Sequence, residues 1–128
     1  MSAIEYYNEG NHFPHPFSLA VRAGDFVYLS GQLGTDATGL VPGGFDAQAR
    51  QAMDNIQSVL HGMGLSMDDT VKFTIMIADM NKWSGFNAIY KTYFKPGHLP
   101  ARSALGANGL ALNAELEIEC MAYAPVKK

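Results

Sequence analysis

The segment that decides the fold is PARSALGANGLALNAELEIECMAY, residues 100–123. Over its last ten residues the side chains alternate, and four apolar or small ones share one face: Leu116, Ile118, Cys120 and Ala122. A period of two is typical of a β-strand with one buried face. Pro100 lacks an amide hydrogen and suits the entry to another strand. The segment therefore predicts two strands, with residues 106–109 supplying the turn between them.

Each predicted strand carries one charged side chain that can act on a small molecule. Arg102 lies just inside the first strand, where a stiff backbone can aim its guanidinium, and Glu117 lies on the polar face of the second. If the strands pair, the two side chains can share a face. Alternating glutamates are also typical of the solvent side of a strand. Spacing alone leaves both interpretations open.

The remaining elements follow from periodicity. Strands are predicted at 4–7, 19–22, 26–30 and 70–78, helices at 45–63 and 82–94, and a loop at 35–44. This order predicts an α+β domain with one mixed sheet and both helices on one side. The other sheet face is then short of cover and predicts a partner surface. Its large side chains are Tyr28, Met76, Met121 and Tyr123.

Composition narrows the class of protein. A chain of 128 residues predicts one domain spanning 1–128, and 48% hydrophobic with 16% charged residues is ordinary for a globular protein. The net charge of -3, without clustered basic residues, argues against nucleic acid. The single cysteine, Cys120, favours a reducing compartment. The N-terminus resembles no signal peptide and no segment has membrane-spanning length, so we expect a cytoplasmic protein without membrane partners.

Two other chemistries are disfavoured by the residues. His12 and His15 are three apart, but they lie in a proline-containing loop without a completing set of ligands, so we expect no metal. Ser30 ends a strand with no histidine placed to activate it, which argues against a nucleophilic triad.

Several fragments together resemble one protein family. PARS at 100–103 and LEIE at 116–119 resemble the C-terminal signature of the YjgF/YER057c/UK114 family, also called Rid, for reactive intermediate deaminase. VYLSGQ at 27–32, QARQ at 48–51 and FNAIY at 86–90 resemble its earlier segments in the same order. The resemblance implies a chorismate-mutase-like fold of the bacterial type. It also implies a homotrimer whose sheets close a central barrel, with ligand clefts between subunits.

The implied reaction is hydrolytic deamination of small 2-imino or enamine acids, such as 2-aminoacrylate, to 2-keto acids and ammonia, in metabolite damage control. The resemblance assigns the carboxylate of the substrate to Arg102, which can bind it through two parallel hydrogen bonds, and the attacking water to Glu117. It implies no metal and no cofactor.

The resemblance implies four further substrate-binding positions. Ser30 would contact the substrate carboxylate, and Asn87 would reach into the cleft of a neighbouring subunit. Phe17 stands where the deaminase branch often has tyrosine, so a hydroxyl is lost. Ala104 stands where many relatives have cysteine, which excludes thiol chemistry at that position.

Three alternatives stay open. Branches of the family act on 2-aminomuconate or 3-aminoacrylate. A non-catalytic regulator that binds 2-keto acids would need Arg102 but not Glu117. Some relatives have been assigned ribonuclease activity. The net negative charge of this chain argues against that activity here.

Overall fold

The computed structural model describes residues 3–9 and 15–126. A six-stranded mixed sheet has the order β1-β2-β3-β8-β6-β7. Its strands are β1 Ile4–Tyr7, β2 Ala20–Ala23, β3 Phe26–Gln32, β6 Thr70–Ile77, β7 Ala101–Gly106 and β8 Leu116–Tyr123, and a separate small hairpin is formed by β4 Thr35–Asp36 and β5 Gly39–Leu40. The helices are α1 Gly44–Gly62 and α2 Trp83–Tyr90.

Strand β8 is the centre of the sheet, with β3 on one side and β6 on the other, both antiparallel to it. Its residues alternate between buried and more exposed along its whole length. Leu116, Ile118 and Ala122 are each 0% exposed. The predicted strand and its buried face are confirmed, because the period of two places Leu116, Ile118, Cys120 and Ala122 together on the helix side.

The predicted pairing of the two C-terminal strands is wrong. β7 pairs in parallel with β6, so β6 separates β7 from β8. A strand that follows a helix crossover runs parallel to its predecessor, and β6–α2–β7 forms such a unit. The connection 107–115 therefore returns to the far side of β6, through a 3-10 turn at Ala111–Asn113, and is not a tight hairpin.

Both helices cover the same face of the sheet, as predicted for the α+β class. A single cluster joins buried side chains from α1, α2 and the strands. Phe73 of β6 packs edge-on against Tyr90 of α2, with ring centroids 5.5 Å apart, and Phe86 packs edge-on against Phe45 at 6.5 Å. These aromatic contacts fix α2 on the sheet.

Two predicted boundaries differ from the structure. The loop predicted at 35–44 contains the β4–β5 hairpin, which is only two residue pairs long and leaves almost no periodic signal. The second helix ends at Tyr90 and continues as a 3-10 turn, Lys91–Tyr93, instead of reaching residue 94.

Residues 3–9 and 15–126 form no layer that covers the opposite face of the sheet. Register places Phe26 and Tyr28 of β3 opposite Tyr123 and Met121 of β8 on this side. Tyr28 is 43% exposed and Tyr123 46%. This open face, defined by Phe26, Tyr28, Met121 and Tyr123, is the face that the sequence predicted to be short of cover, and its use as a partner surface stays a prediction. Within the described residues, no helix is both long and apolar enough to cross a membrane.

Candidate functional site

Arg102 lies on the helix side of β7, the edge strand of the sheet. It is paired with Phe73, which is buried beneath α2. The guanidinium carbon Cζ lies 4.7 Å from the centre of the Trp83 ring and 4.8 Å from that of Tyr90. In the described part of the chain the guanidinium has no ion pair and no hydrogen bond. Its N–H donors are therefore available to an anion.

Glu117 lies on the open face of β8, opposite Met76 of β6. Its carboxylate rests on Gly31, where an added Cβ would overlap the Glu117 oxygen Oε2. Gly31 lies in an irregularity of the β3–β8 pairing between Leu29 and Gln32. The space that the missing side chain of this glycine leaves open is filled by the Glu117 side chain.

The expectation that Arg102 and Glu117 share a face within one chain is wrong. Arg102 is aligned through Phe73 with Cys120 on the buried face, whereas Glu117 belongs to the open face. Standard strand spacings put their α-carbons roughly 14 Å apart, with β6 in between. One copy of this sheet cannot present both groups to one small substrate.

Ser30 is next in sequence to Gly31, which contacts Glu117, and Phe17 is next in sequence to Ser18, which contacts Ser30. Ser30 precedes Gly31, and its hydroxyl donates a 2.6 Å hydrogen bond to the carbonyl of Ser18. The contact with a substrate carboxylate stays a prediction, and it requires this hydroxyl to leave Ser18. Phe17 is 49% exposed and stacks on His15 with ring centroids 5.0 Å apart.

Asn87 and Ala104 belong to the elements around Arg102. Ala104 is two residues further along β7, on the same face, and packs against the core. Asn87 is on α2, next to Phe86 in the sequence. Its Oδ1 atom and the Tyr90 hydroxyl are buried without a hydrogen-bond partner among the described residues. The candidate residues thus divide by element: Arg102 and Ala104 are on β7 and Asn87 is on the helix α2 that covers Arg102, whereas Glu117 and Ser30 are on the neighbouring strands β8 and β3, and Phe17 is in the segment that contacts Ser30.

Burial shapes the titration of the nearby groups. It raises the pKa of Glu117 above its ordinary value, and the negative charge of Glu119 raises it further. Burial also raises the pKa of Tyr90 to about 12, against a lowering by the charge of Arg102. The pKa of Cys120 is raised to about 12 by burial, so this thiol stays neutral and unreactive near neutral pH.

The pKa of Glu117 gives a testable pH dependence. Glu119→Gln removes a like charge, so Glu117 should ionise at lower pH than in the wild type. If ionised Glu117 is required for turnover, the acidic limb of the kcat/KM profile should move to lower pH in this variant. The rate is measured with the spontaneous hydrolysis subtracted at each pH. An acidic limb that stays at the same pH, or moves to higher pH, would contradict the electrostatic coupling between Glu119 and Glu117.

No group of three or more potential metal-ligating side chains occurs within residues 3–9 and 15–126. His12 lies outside those residues, and His15 stacks on Phe17. A surface cavity of about 690 Å³ is lined by Glu5, Arg22 and Val126 among others, but by none of the six candidate residues.

The surroundings of Arg102 were not predicted from the sequence. Trp83, Phe86 and Tyr90 lie within the predicted second helix, and none of them was a predicted site residue. The helix sequence WSGFNAIY carries three aromatic rings in eight residues, but this pattern does not distinguish core packing from contact with a cation. Only the parallel pairing of β7 with β6 brings Arg102 beneath them.

The chain is similar to known proteins over most of its length. Residues 11–124 match the sequence profile of the family described as Endoribonuclease L-PSP. The 2-iminobutanoate/2-iminopropanoate deaminase of Mus musculus is 42% identical over 109 residues, covering 84% of this chain and 80% of that protein. A RutC family protein of Aquifex aeolicus is 41% identical over 109 residues, covering 84% and 87%.

The fold is shared as well. The crystal structure of the Rid family protein YyfA from Yersinia pestis superposes with a TM-score of 0.89 at 36% identity, covering 95% of this chain and 100% of that one. Fold, sequence profile and relatives agree with the signature at residues 100–103 and 116–119. The chain therefore belongs to the YjgF/YER057c/UK114 family, or Rid family.

Proposed function

We propose that this protein is an imine deaminase that hydrolyses small 2-imino acids, with their enamine forms, to 2-keto acids and ammonia. The observation that carries the proposal is the 42% identity to a protein named 2-iminobutanoate/2-iminopropanoate deaminase. The family match also spans all six candidate residues. The free donors of Arg102 and the partly buried carboxylate of Glu117 are the groups that this chemistry needs.

Arg102 binds the substrate carboxylate through a bidentate, charge-assisted pair, which orients the imine carbon. Glu117 holds a water molecule and takes its proton as the oxygen adds to that carbon. Addition to the protonated imine gives a carbinolamine. Glu117 returns its proton to the amine nitrogen, the C–N bond breaks as ammonia leaves, and Glu117 takes the hydroxyl proton as the carbonyl of the 2-keto acid forms; this proton finally departs with ammonia as ammonium. Because imines hydrolyse readily, orientation and proton transfer are sufficient for catalysis.

The active site proposed here lies between two copies of the chain. Arg102 and Glu117 are on opposite faces of one sheet, so a cleft that uses both takes Arg102 from one copy and Glu117 from its neighbour. The exposed rings of the open face supply apolar area for such an association. A homotrimer closes this head-to-tail contact and forms three equal clefts.

A charge on the open face should disrupt the assembly. Met121 faces Tyr28 across β3 and β8, and Met121→Lys would bury an unpaired ammonium in every copy. Association should weaken at least about 100-fold, because an uncompensated buried charge costs several kcal/mol. Light scattering after size exclusion should show monomer, and activity should fall with it.

The control for this variant is Ser58→Lys, which adds the same charge at an exposed position of α1. It should keep the mass and the activity of the wild type. A wild-type protein that is already a clean monomer, or a Met121→Lys trimer with full activity, would contradict the proposed cleft.

The direct test generates 2-aminoacrylate and its longer-chain imine homologues in situ and follows their decay with and without the protein. Faster decay, with matching release of keto acid and ammonia, is expected. The same assay with 2-aminomuconate and 3-aminoacrylate separates a general deaminase from a branch specialised for one enamine. A protein that accelerates none of these reactions but binds 2-keto acids would be a regulator.

The ribonuclease alternative has its own signature. RNA binding through phosphates would weaken steeply as salt is raised, and we expect no such binding from a chain with net charge -3.

We place the protein in metabolite damage control in the cytoplasm. That compartment is supported by a single, buried cysteine and can be tested by cell fractionation.

A further inference from the structure

We propose that Trp83, Phe86 and Tyr90 form an aromatic cage that positions Arg102 and leaves its N–H donors free for the substrate carboxylate. This inference deepens the proposed function and rests on it for the identity of the anion. Its physical basis is the arrangement of one cation against three rings, and that arrangement is independent of the reaction.

The contacts of the guanidinium define the cage. Its Cζ atom lies 4.7 Å from the ring centre of Trp83, 4.8 Å from that of Tyr90 and 6.0 Å from that of Phe86. All three distances are within the range of cation–π attraction, and tryptophan gives the strongest such contact. The ring faces attract the positive charge without accepting its in-plane hydrogen bonds. If Arg102 were paired with a carboxylate of the protein, its two parallel N–H donors would already be occupied and could not bind a substrate.

The cage is rigid because the core holds two of its rings. Phe86 is 0% exposed and Tyr90 4%. Tyr90 packs against Phe73 at 5.5 Å and against Phe94 at 4.8 Å. Trp83 is only partly buried at the start of α2, so it is the ring that can be changed with least damage to the fold. A preorganised cation binds an anion with less loss of side-chain freedom.

The charges around Arg102 make the aromatic rings its principal partners. Each ion pair in the described residues uses another cation: Arg22 with Glu5, Lys82 with Glu115, and Lys95 with Asp68. Lys82, next to Trp83, is held by Glu115 at 2.7 Å. Arg102 therefore keeps a full positive charge that no carboxylate of the described chain neutralises.

The first experiment measures the cage itself. Urea unfolding is compared for the wild type, Trp83→Leu, Arg102→Met and the double variant, all at one protein concentration, because assembly shifts apparent stability. Trp83→Leu should change the unfolding constant about twofold to fivefold more when Arg102 is present than when it is methionine. Equal effects in both backgrounds would overturn the cage.

The second experiment measures its consequence for the ligand. Binding of 2-oxobutanoate is followed by calorimetry for the wild type, Trp83→Phe and Trp83→Leu. We expect Trp83→Phe to keep most of the affinity and Trp83→Leu to lose about fivefold, as the flat ring face is removed. In the imine assay the loss should appear in KM more than in kcat, since the carboxylate is bound equally before and during reaction.

Trp83 is the single tryptophan of the chain, so its fluorescence should change when 2-oxobutanoate binds to the wild type. If the wild type binds and Trp83→Leu binds equally well, the positioning role is overturned while the proposed function stands. If the wild type binds no 2-oxo acid, carboxylate recognition by Arg102 fails together with the proposed function. The unfolding cycle alone then decides whether the cage exists.

Discussion

Arg102→Ala should reduce kcat/KM for 2-imino acids at least about 30-fold, since truncating one member of a hydrogen-bonded charge pair costs about 2 kcal/mol or more. The guanidinium has no ion pair within the described residues, so its loss breaks no internal salt bridge. The expected defect is therefore mainly in catalysis, and the accompanying loss of stability should be limited to the contacts with the rings of Trp83, Phe86 and Tyr90.

Two further variants sharpen this prediction. Arg102→Lys keeps the positive charge but loses the planar guanidinium that binds a carboxylate through two hydrogen bonds. We expect its activity to lie between those of Arg102→Ala and the wild type. Arg50→Ala removes an arginine from an exposed position of α1 and should behave as the wild type. Equal rates for wild type and Arg102→Ala would refute the role of Arg102 in catalysis.

Glu117→Gln should lower kcat about 100-fold or more, because general acid–base groups contribute on that scale, while the affinity for 2-oxobutanoate stays close to that of the wild type. The glutamine fits the space above Gly31, so the variant tests proton transfer and not packing. Turnover is measured by imine decay and binding by calorimetry. Glu119→Gln, on the same strand face, should retain most of its activity.

This prediction separates an enzyme from a regulator. A regulator that binds 2-keto acids through Arg102 has no use for Glu117, so Glu117→Gln would leave all of its measurable properties unchanged. Full turnover in this variant would mean that another group activates the water.

The two inactive variants together test whether the cleft joins two chains. Arg102→Ala subunits still supply Glu117, and Glu117→Gln subunits still supply Arg102. After unfolding and refolding of a one-to-one mixture, random trimers with head-to-tail clefts should carry about a quarter of the wild-type number of intact sites. A site built within one chain would regain no activity on mixing.

Much of the fold follows from local patterns. The alternation in LEIECMAY predicted β8 and its buried face, and the apolar stripe of α1 predicted that helix to within one residue at each end. These patterns are informative because a strand or helix with one buried face must repeat its apolar residues at its own period. The β4–β5 hairpin is too short to show a period, and it was missed.

The residue types of the candidate site were also accessible from the sequence. Arg102 and Glu117 were identified from their strands and from the resemblance of residues 100–103 and 116–119. Their relation in space was not accessible. The sequence places both strands beside one turn, and a direct hairpin is the simplest pairing for that order.

The sequence by itself determined the strands, the helices, the family and the two charged residues, because local periodicity and motif order are properties of the chain alone. Only the tertiary structure decided that β7 lies beyond β6 and that Arg102 meets Trp83 and Tyr90 instead of Glu117. The physical reason is that a period of two defines which side chains share a face, whereas the neighbour of each strand is chosen by how the helix crossover and the core pack.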